Sequence, residues 1–121
     1  MATMKTPKPP RIVTAALVPV LNNTWAIELP PNPMWPAIVF EIDTETEDAW
    51  CLGGGYDQHE ITVTIYATTP ERIDQLVPDV RAAFEALTSF MFEDKGGDAE
   101  FEDDPNVYAY FMTFRLRTSR Y

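Results

Sequence analysis

Apolar and polar residues alternate along three stretches of this chain, and such alternation predicts β-strands. In residues 37–44 the isoleucines and the phenylalanine fall on one face, and acidic side chains fall on the other. Residues 59–67 alternate in the same way and are rich in β-branched side chains, which favour strands. Residues 107–117 predict a third strand. Since three glycines, residues 53–55, lie between the first two strands, we expect those strands to form an antiparallel hairpin.

The N-terminal part of the chain combines a proline-containing segment with a helical pattern. Residues 1–10 hold three prolines and no apolar periodicity, which is typical of a flexible or extended arm. That arm is either a disordered end or a segment that orders against a partner. Residues 11–21 then have the spacing of an amphipathic helix. Because Pro19 removes a backbone hydrogen bond, the helix is either kinked there or ends near Val18.

A second helix is marked by its start and by its apolar stripe. Thr68 and Glu71 have the spacing of a capping box, and Pro70 stands in the first turn. Apolar residues then repeat at intervals of three and four, which predicts a helix to about Phe90. Pro78 predicts a bend in this helix because it has no amide hydrogen to donate.

Proline and acidic residues interrupt the regular pattern in two places. Residues 30–36 hold four prolines, so they form an extended loop after a short predicted strand at 25–29. The loop presents Met34 and Trp35, which must cover the core or meet a partner, since both are costly to leave in water. Residues 93–104 are strongly acidic and predict either a solvated loop or an exposed edge strand.

The order of these elements predicts an α+β fold. It consists of an antiparallel sheet of about four to five strands, with two helices packed on one face. The core should come from the second helix and from the apolar faces of residues 38–42, 61–67 and 108–116. A chain of 121 residues has the length of one domain. We therefore expect a flexible arm at residues 1–10 and a single α+β domain at residues 11–121.

The charge balance argues against several functions. There are 19 acidic and 9 basic residues, and the formal net charge is −10. A protein that grips nucleic-acid phosphates needs clustered cations, so tight binding of DNA, of RNA or of an anionic membrane is not expected. No apolar run approaches the roughly 18 residues of a membrane span, and no signal peptide is recognisable, so we expect a soluble cytosolic protein.

No group of residues predicts catalysis, a cofactor or a metal. Cys51 is the single cysteine, and only His59 could activate it as a nucleophile; a strand-end histidine without a chemical role is the simpler interpretation. Glu41, Asp43, Glu45 and Glu47 recur at every second position and could share a divalent cation, but a solvated strand face is the simpler interpretation. The three glycines are not followed by the lysine of a phosphate-binding loop. We therefore expect no enzyme.

Five short motifs follow one another in a characteristic order along the chain. They are W-P-A-I-V-F-E at 35–41, L-G-G-G at 52–55, the strand-to-helix junction at 63–73, V-R-A-A-F-E-A-L at 80–87, and R-L-R at 115–117. In this succession the chain resembles the small tail terminator, or tail completion, proteins of long-tailed bacteriophages and phage-like particles. The resemblance covers about residues 11–118.

This resemblance implies a structural virion protein without catalytic residues. Such a protein forms a ring, usually a hexamer, at the head-proximal end of the tail tube, where it ends tube polymerisation and provides the surface for head joining. The implied partners are further copies of the chain, the tail tube protein and a head–tail connector or stopper. Genomic DNA would pass through the lumen without specific binding. The protein would assemble in the host cytoplasm and reside in the phage tail or neck.

Two sets of residues are candidates for this role. Ring or partner contacts should come from large aromatic side chains at strand edges or in loops, and the candidates are Trp25, Trp35, Tyr108 and Phe111. The candidates for an acidic lumen that repels passing DNA are Glu41, Asp43, Glu45 and Glu47.

Two alternative functions fit the same sequence. One is a different neck component, such as a connector or stopper, which its location in the particle would reveal. The other is an acidic DNA mimic that inhibits a nuclease or a repressor. A mimic should spread its carboxylates over one face, whereas most acidic residues here fall in two segments, 41–48 and 93–104.

Overall fold

The computed structural model describes residues 9–46, 56–101 and 104–119. Seven elements follow one another along the chain. They are α1 (Pro9–Leu17), β1 (Thr24–Ala26), β2 (Ala37–Thr46), β3 (Tyr56–Ala67), α2 (Pro70–Glu85), β4 (Phe90–Glu100) and β5 (Tyr108–Ser119).

The five strands form one sheet in the order β1-β2-β3-β5-β4. The pairs β2–β3, β3–β5 and β5–β4 are antiparallel, and the register of the first sets Ile38 opposite Ile65. This confirms the pairing expected of the two long strands, while the glycine tip between them falls outside the described residues. β1 is the exception, because it pairs with β2 in parallel, with Trp25 opposite Val39. The sheet is therefore mixed, whereas the sequence predicted an antiparallel one.

Both helices lie on the same face of the sheet and form one core with it. Val13 and Leu17 of α1 join the buried side of α2 and the inward residues of the three long strands. Phe84 of α2 and Phe114 of β5 are fully buried and stack with their ring centroids 4.2 Å apart. The α+β class is thus confirmed, and so is most of the predicted core; the differences are that Tyr108, at the start of β5, is exposed and that α1 contributes as well as α2. We call the opposite side of the sheet the outer face; among the described residues, no helix lies on it.

The structure decides between the two predictions for the first helix. α1 ends at Leu17, and the amides of Val20 and Leu21 both donate to the Leu17 carbonyl in the turn that follows. Pro19 lies in this turn, outside the helix, so no kink is needed.

The second helix differs from its prediction at both ends. Its N-cap is Thr69, whose hydroxyl accepts the amide of Arg72, so the capping-box prediction at Thr68 was wrong by one residue. Pro70 is then the first helical residue, the position where a missing amide hydrogen is harmless. The helix ends at Glu85, short of the predicted Phe90, because Phe90 already opens β4.

The acidic segment near the C-terminus is largely an edge strand. β4 covers Phe90–Glu100 and pairs on one side only, with β5, through two register shifts that mark bulges. The Arg81 guanidinium of α2 reaches the carboxylate of Glu93 at 2.7 Å and 3.3 Å. This bidentate pair ties the helix to the edge strand. Of the two predictions for this segment, the exposed edge strand is confirmed.

Candidate functional site

The outer face carries a row of acidic side chains along β2. Glu41, Asp43 and Glu45 alternate with core residues, so all three point away from the helices, and all three are exposed. The next acid of the row, Glu47, falls outside the described residues. On the neighbouring strand Glu60 pairs with Arg115 at 2.9 Å. Three of the four candidate lumen acids therefore share one solvent-facing surface, as the alternation predicted.

An aromatic cluster occupies the other end of the outer face. Trp35, Tyr66 and Phe101 contact one another with ring centroids 5.2–5.9 Å apart, in tilted or edge-to-face arrangements. We call these three residues the aromatic trio. They come from three separate segments, so the trio exists only in the folded chain. Burial and the nearby Glu41 carboxylate raise the pKa of the Tyr66 phenol, which therefore stays protonated and neutral at physiological pH.

The proline-rich segment, residues 27–36, connects β1 to β2 and contains Trp35 of the trio, and we call it the proline loop. Asn23 anchors it, because its side-chain amide donates to the carbonyls of Met34 (2.7 Å) and Pro36 (3.0 Å). The loop holds Ile27 at a φ of 73° and Asn32 at 55°. Left-handed backbone is strained for a β-branched residue such as isoleucine, and strain of this kind concentrates at functional sites.

A cleft of about 670 Å³ lies between the proline loop and the sheet. The trio contributes to its wall, and Glu28 and Asp104 contribute carboxylates. On the same loop Ile27 is 73% exposed and Met34 is 78% exposed. The cleft therefore combines aromatic faces, negative charge and uncovered apolar surface in one place.

The four candidate contact aromatics do not form one patch. Trp25 lies on edge strand β1, 40% exposed, with its indole N–H donating to Asn23 at 2.7 Å. Tyr108 is 51% exposed on the side of β5 that faces the helices, and Phe111 is half-buried on the outer face. Trp35 belongs to the trio. The structure thus spreads these residues over both sides of the sheet, and their role in assembly stays a prediction.

Sequence reasoning did not find Tyr66 and Phe101 as partners of Trp35. In the sequence Tyr66 falls on the polar face of an alternating strand, and Phe101 lies within the acidic segment 93–104. No periodicity links positions 35, 66 and 101. The one available signal was the costly exposure of Met34 and Trp35 on a loop, which predicted a surface of some kind.

His59 is buried and fully hydrogen-bonded. Its Nδ1 is 2.8 Å from the hydroxyl of Thr44, and its Nε2 is 2.7 Å from the hydroxyl of Thr118. Burial lowers the pKa of the imidazole, against a smaller opposing effect of the Asp57 carboxylate. The ring therefore links three strands as a neutral group. Cys51, its only candidate catalytic partner, falls outside the described residues.

Across residues 9–46, 56–101 and 104–119, no three His, Cys, Asp or Glu side chains come together as a metal site requires. Within the same residues, neither helix is long and apolar enough to cross a bilayer.

Comparisons with known proteins give a likeness of fold. No model of a protein family matches this chain, and no curated protein matches it in sequence. Among solved structures, it is similar to a chain in the virion of a native gene transfer agent particle, with a TM-score of 0.55 and 14% sequence identity. The likeness covers 87% of this chain and 85% of that chain. The two chains therefore share their fold over nearly their whole length.

Proposed function

We propose that this chain is a structural virion protein that transforms no substrate. In this proposal it forms a ring, six copies in number, at the head-proximal end of a phage tail tube. There it ends tube polymerisation and provides the surface for head joining. The observation that supports this proposal is the likeness of fold to a chain of a gene transfer agent virion. It covers 87% of the present chain and 85% of the virion chain.

The shape of the sheet supports assembly with further copies. Its two margins are β1, of three residues, and β4, of eleven residues. Unpaired margins of a sheet are natural places for contact between subunits unless charges or bulges protect them. β4 carries both devices, which limits uncontrolled association in favour of a specific neighbour.

The charge supports the passage of DNA without retention. Six copies would bring together six times the formal charge of −10. If the outer face lines the bore, Glu41, Asp43 and Glu45 of every copy face the duplex. Like charges repel across a confined channel, and the two arginines of β5 on this face are held by Glu60 and by the ring of Tyr56. The acidic row therefore favours passage of the DNA without retention. The partners in this proposal are further copies of the chain, the tail tube protein and a head–tail connector or stopper.

Native mass spectrometry of the purified chain, with electron micrographs of the same sample, tests the ring. We expect a closed species of six subunits, or a monomer that closes into a ring only on tail tubes. A stable dimer would contradict the proposal. A different neck component would instead give its own ring number, and its position in assembled particles would separate it from a tail terminator.

Two exposed aromatics allow a sharper version of this experiment. Trp25→Glu and Tyr108→Glu each place a charge on an exposed candidate contact. We expect folded monomers from one or both. Thr14→Glu adds the same charge at an exposed polar position of α1 and should keep the parent assembly. If both aromatic variants also keep it, these residues lie outside the ring contact.

A further inference from the structure

We propose that the cleft beneath the proline loop binds the N-terminal residues 1–8 of a second copy of this chain. The inference rests on the proposed function, because only an assembly brings a neighbour's arm within reach. It assigns an occupant to the cleft and a role to residues 1–8, which we call the arm in this section. It accounts for the aromatic and acidic lining of the cleft and for the lysines of the arm.

The lining of the cleft suits an extended, proline-containing segment. Grooves walled by aromatic rings recognise such segments because the segment is already extended and loses little conformational entropy on binding. Here the wall includes Trp35, Tyr66 and Phe101, which are half-buried and pack on one another in tilted or edge-to-face contacts. Ile27, a lining residue that is largely exposed, offers apolar surface that an occupant would cover.

The charges of the arm and the cleft are opposite. Residues 1–8 read M-A-T-M-K-T-P-K and contain two lysines and no acid, within a chain of net charge −10. The cleft wall contains Glu28 and Asp104, and Glu41 lies close enough to Tyr66 to affect its ionisation. A lysine ammonium is also attracted to the face of an aromatic ring, most strongly to that of tryptophan. Lys5 and Lys8 are therefore the arm residues that should decide binding.

The positions of the two surfaces favour a neighbouring subunit. The arm leads into α1, which packs on the helix-covered side of the sheet. The cleft opens on the opposite side, the outer face. Eight extended residues span at most about 28 Å, close to the diameter of a small domain, so such an arm can extend beyond its own subunit. Since arm and cleft are different surfaces, their contact is head-to-tail, and repeated contacts of that kind close into a ring when the rotation allows it.

A peptide-binding experiment tests the recognition itself. The receiver is the full chain carrying Lys5→Glu and Lys8→Glu, so that its own arm no longer competes. The probe is a fluorescent synthetic peptide of residues 1–10, and anisotropy reports binding. We expect saturable binding, and about tenfold weaker binding for a probe with the same two lysine-to-glutamate changes. Equal binding of the two probes, or none of either, would overturn the inference.

The receiver also has a matched pair of variants. Glu28→Gln with Asp104→Asn removes the cleft charges while preserving side-chain shape, and we expect it to weaken probe binding several-fold. Glu71→Gln with Asp79→Asn removes as much charge from exposed positions of α2 and should leave binding unchanged. Equal weakening by both pairs would show attraction to the overall negative charge and would overturn the assignment to this cleft.

A cross-linking experiment tests whether the arm passes between copies. A full-length chain with the photoreactive benzoylphenylalanine at Thr6 is mixed with a ¹⁵N-labelled chain, assembled and irradiated. We expect cross-links from light arms to the proline loop of heavy chains. A ring with cross-links elsewhere would overturn this inference and leave the proposed function standing. A chain that binds the probe but stays monomeric, on tail tubes as well as alone, would overturn the proposed function and the exchange between copies.

Discussion

At the scale of single residues, the neutral imidazole of His59 links β3 to β2 and β5 through its hydrogen bonds to Thr44 and Thr118. A ring whose pKa is lowered by burial binds its proton less readily in the folded than in the unfolded chain. The unfolded state then holds more protons as the pH falls below about 6.5, so stability decreases between that value and the lowered pKa. Each pH unit between the two pKa values corresponds to about 1.4 kcal/mol of lost stability.

Urea unfolding at pH 7.5 and pH 5.5 measures this effect. We expect the wild-type chain to lose more stability on acidification than His59→Gln, which keeps a polar side chain at this position but does not titrate. The carboxylates titrate in both proteins and cancel in the comparison. An identical pH dependence of the two proteins would show that the imidazole is not held neutral.

The stacked pair Phe84–Phe114 is the second point at which one residue decides stability. Both rings are fully buried, 4.2 Å apart, where α2 meets the sheet. We expect Phe84→Ala to lower the free energy of unfolding by about 3–5 kcal/mol in denaturant titration, because it opens a cavity. Phe84→Leu fills most of that space and should cost less. A loss below about 1 kcal/mol for the alanine variant would contradict the packing described.

At the scale of elements, Pro78 lies inside α2 on its exposed side. A proline within a helix lowers the free energy of unfolding by about 3 kcal/mol. Up to about 1 kcal/mol of this loss is offset because proline also restricts the unfolded chain. We therefore expect Pro78→Ala to stabilise the protein by about 2 kcal/mol, measured as a higher denaturation midpoint. Asp79→Ala is the control for helix propensity and should stabilise the protein by no more than about 0.7 kcal/mol. An unchanged or lower midpoint for Pro78→Ala would show that the packing of α2 requires the proline.

The elements with strong periodicity were predictable from the sequence. β2, β3, β5 and α2 each repeat their apolar residues often enough to identify both the element and its buried side. The ends of these elements were less predictable. The choice between Thr68 and Thr69 as the N-cap of α2, for example, depends on local backbone geometry that both residues permit.

The rest of the fold depends on contacts between distant segments. β1 has three residues and pairs with β2 in parallel, and nothing in three residues specifies a partner or its direction. β4 contains two glycines and several charges, which are poor strand formers, and it is held by its neighbour β5. The cleft was beyond prediction for the same reason, since its wall unites Trp35, Tyr66 and Phe101 from three segments.

At the scale of the whole molecule, the helices cover one side of the sheet and leave an acidic outer face. In the proposed ring this face lines the bore, and its charge decides how DNA passes. We expect rings carrying Glu41→Lys, Asp43→Lys and Glu45→Lys to retain duplex DNA in a gel-shift experiment, where wild-type rings do not.

A variant with the same change of net charge on the helix-covered side of the sheet is the control. Glu71→Lys, Asp74→Lys and Asp79→Lys reverse three exposed acids of α2, outside the proposed bore. We expect weaker retention of DNA by these rings. Equal or stronger retention would place the outer face on the outside of the ring.

The location of the chain in assembled particles decides whether it is a tail terminator. Immunogold electron microscopy of particles that contain this chain would show where it resides. We expect label confined to the junction between the head and the tail tube. Label along the tube, at the distal tip or on the capsid shell would contradict it.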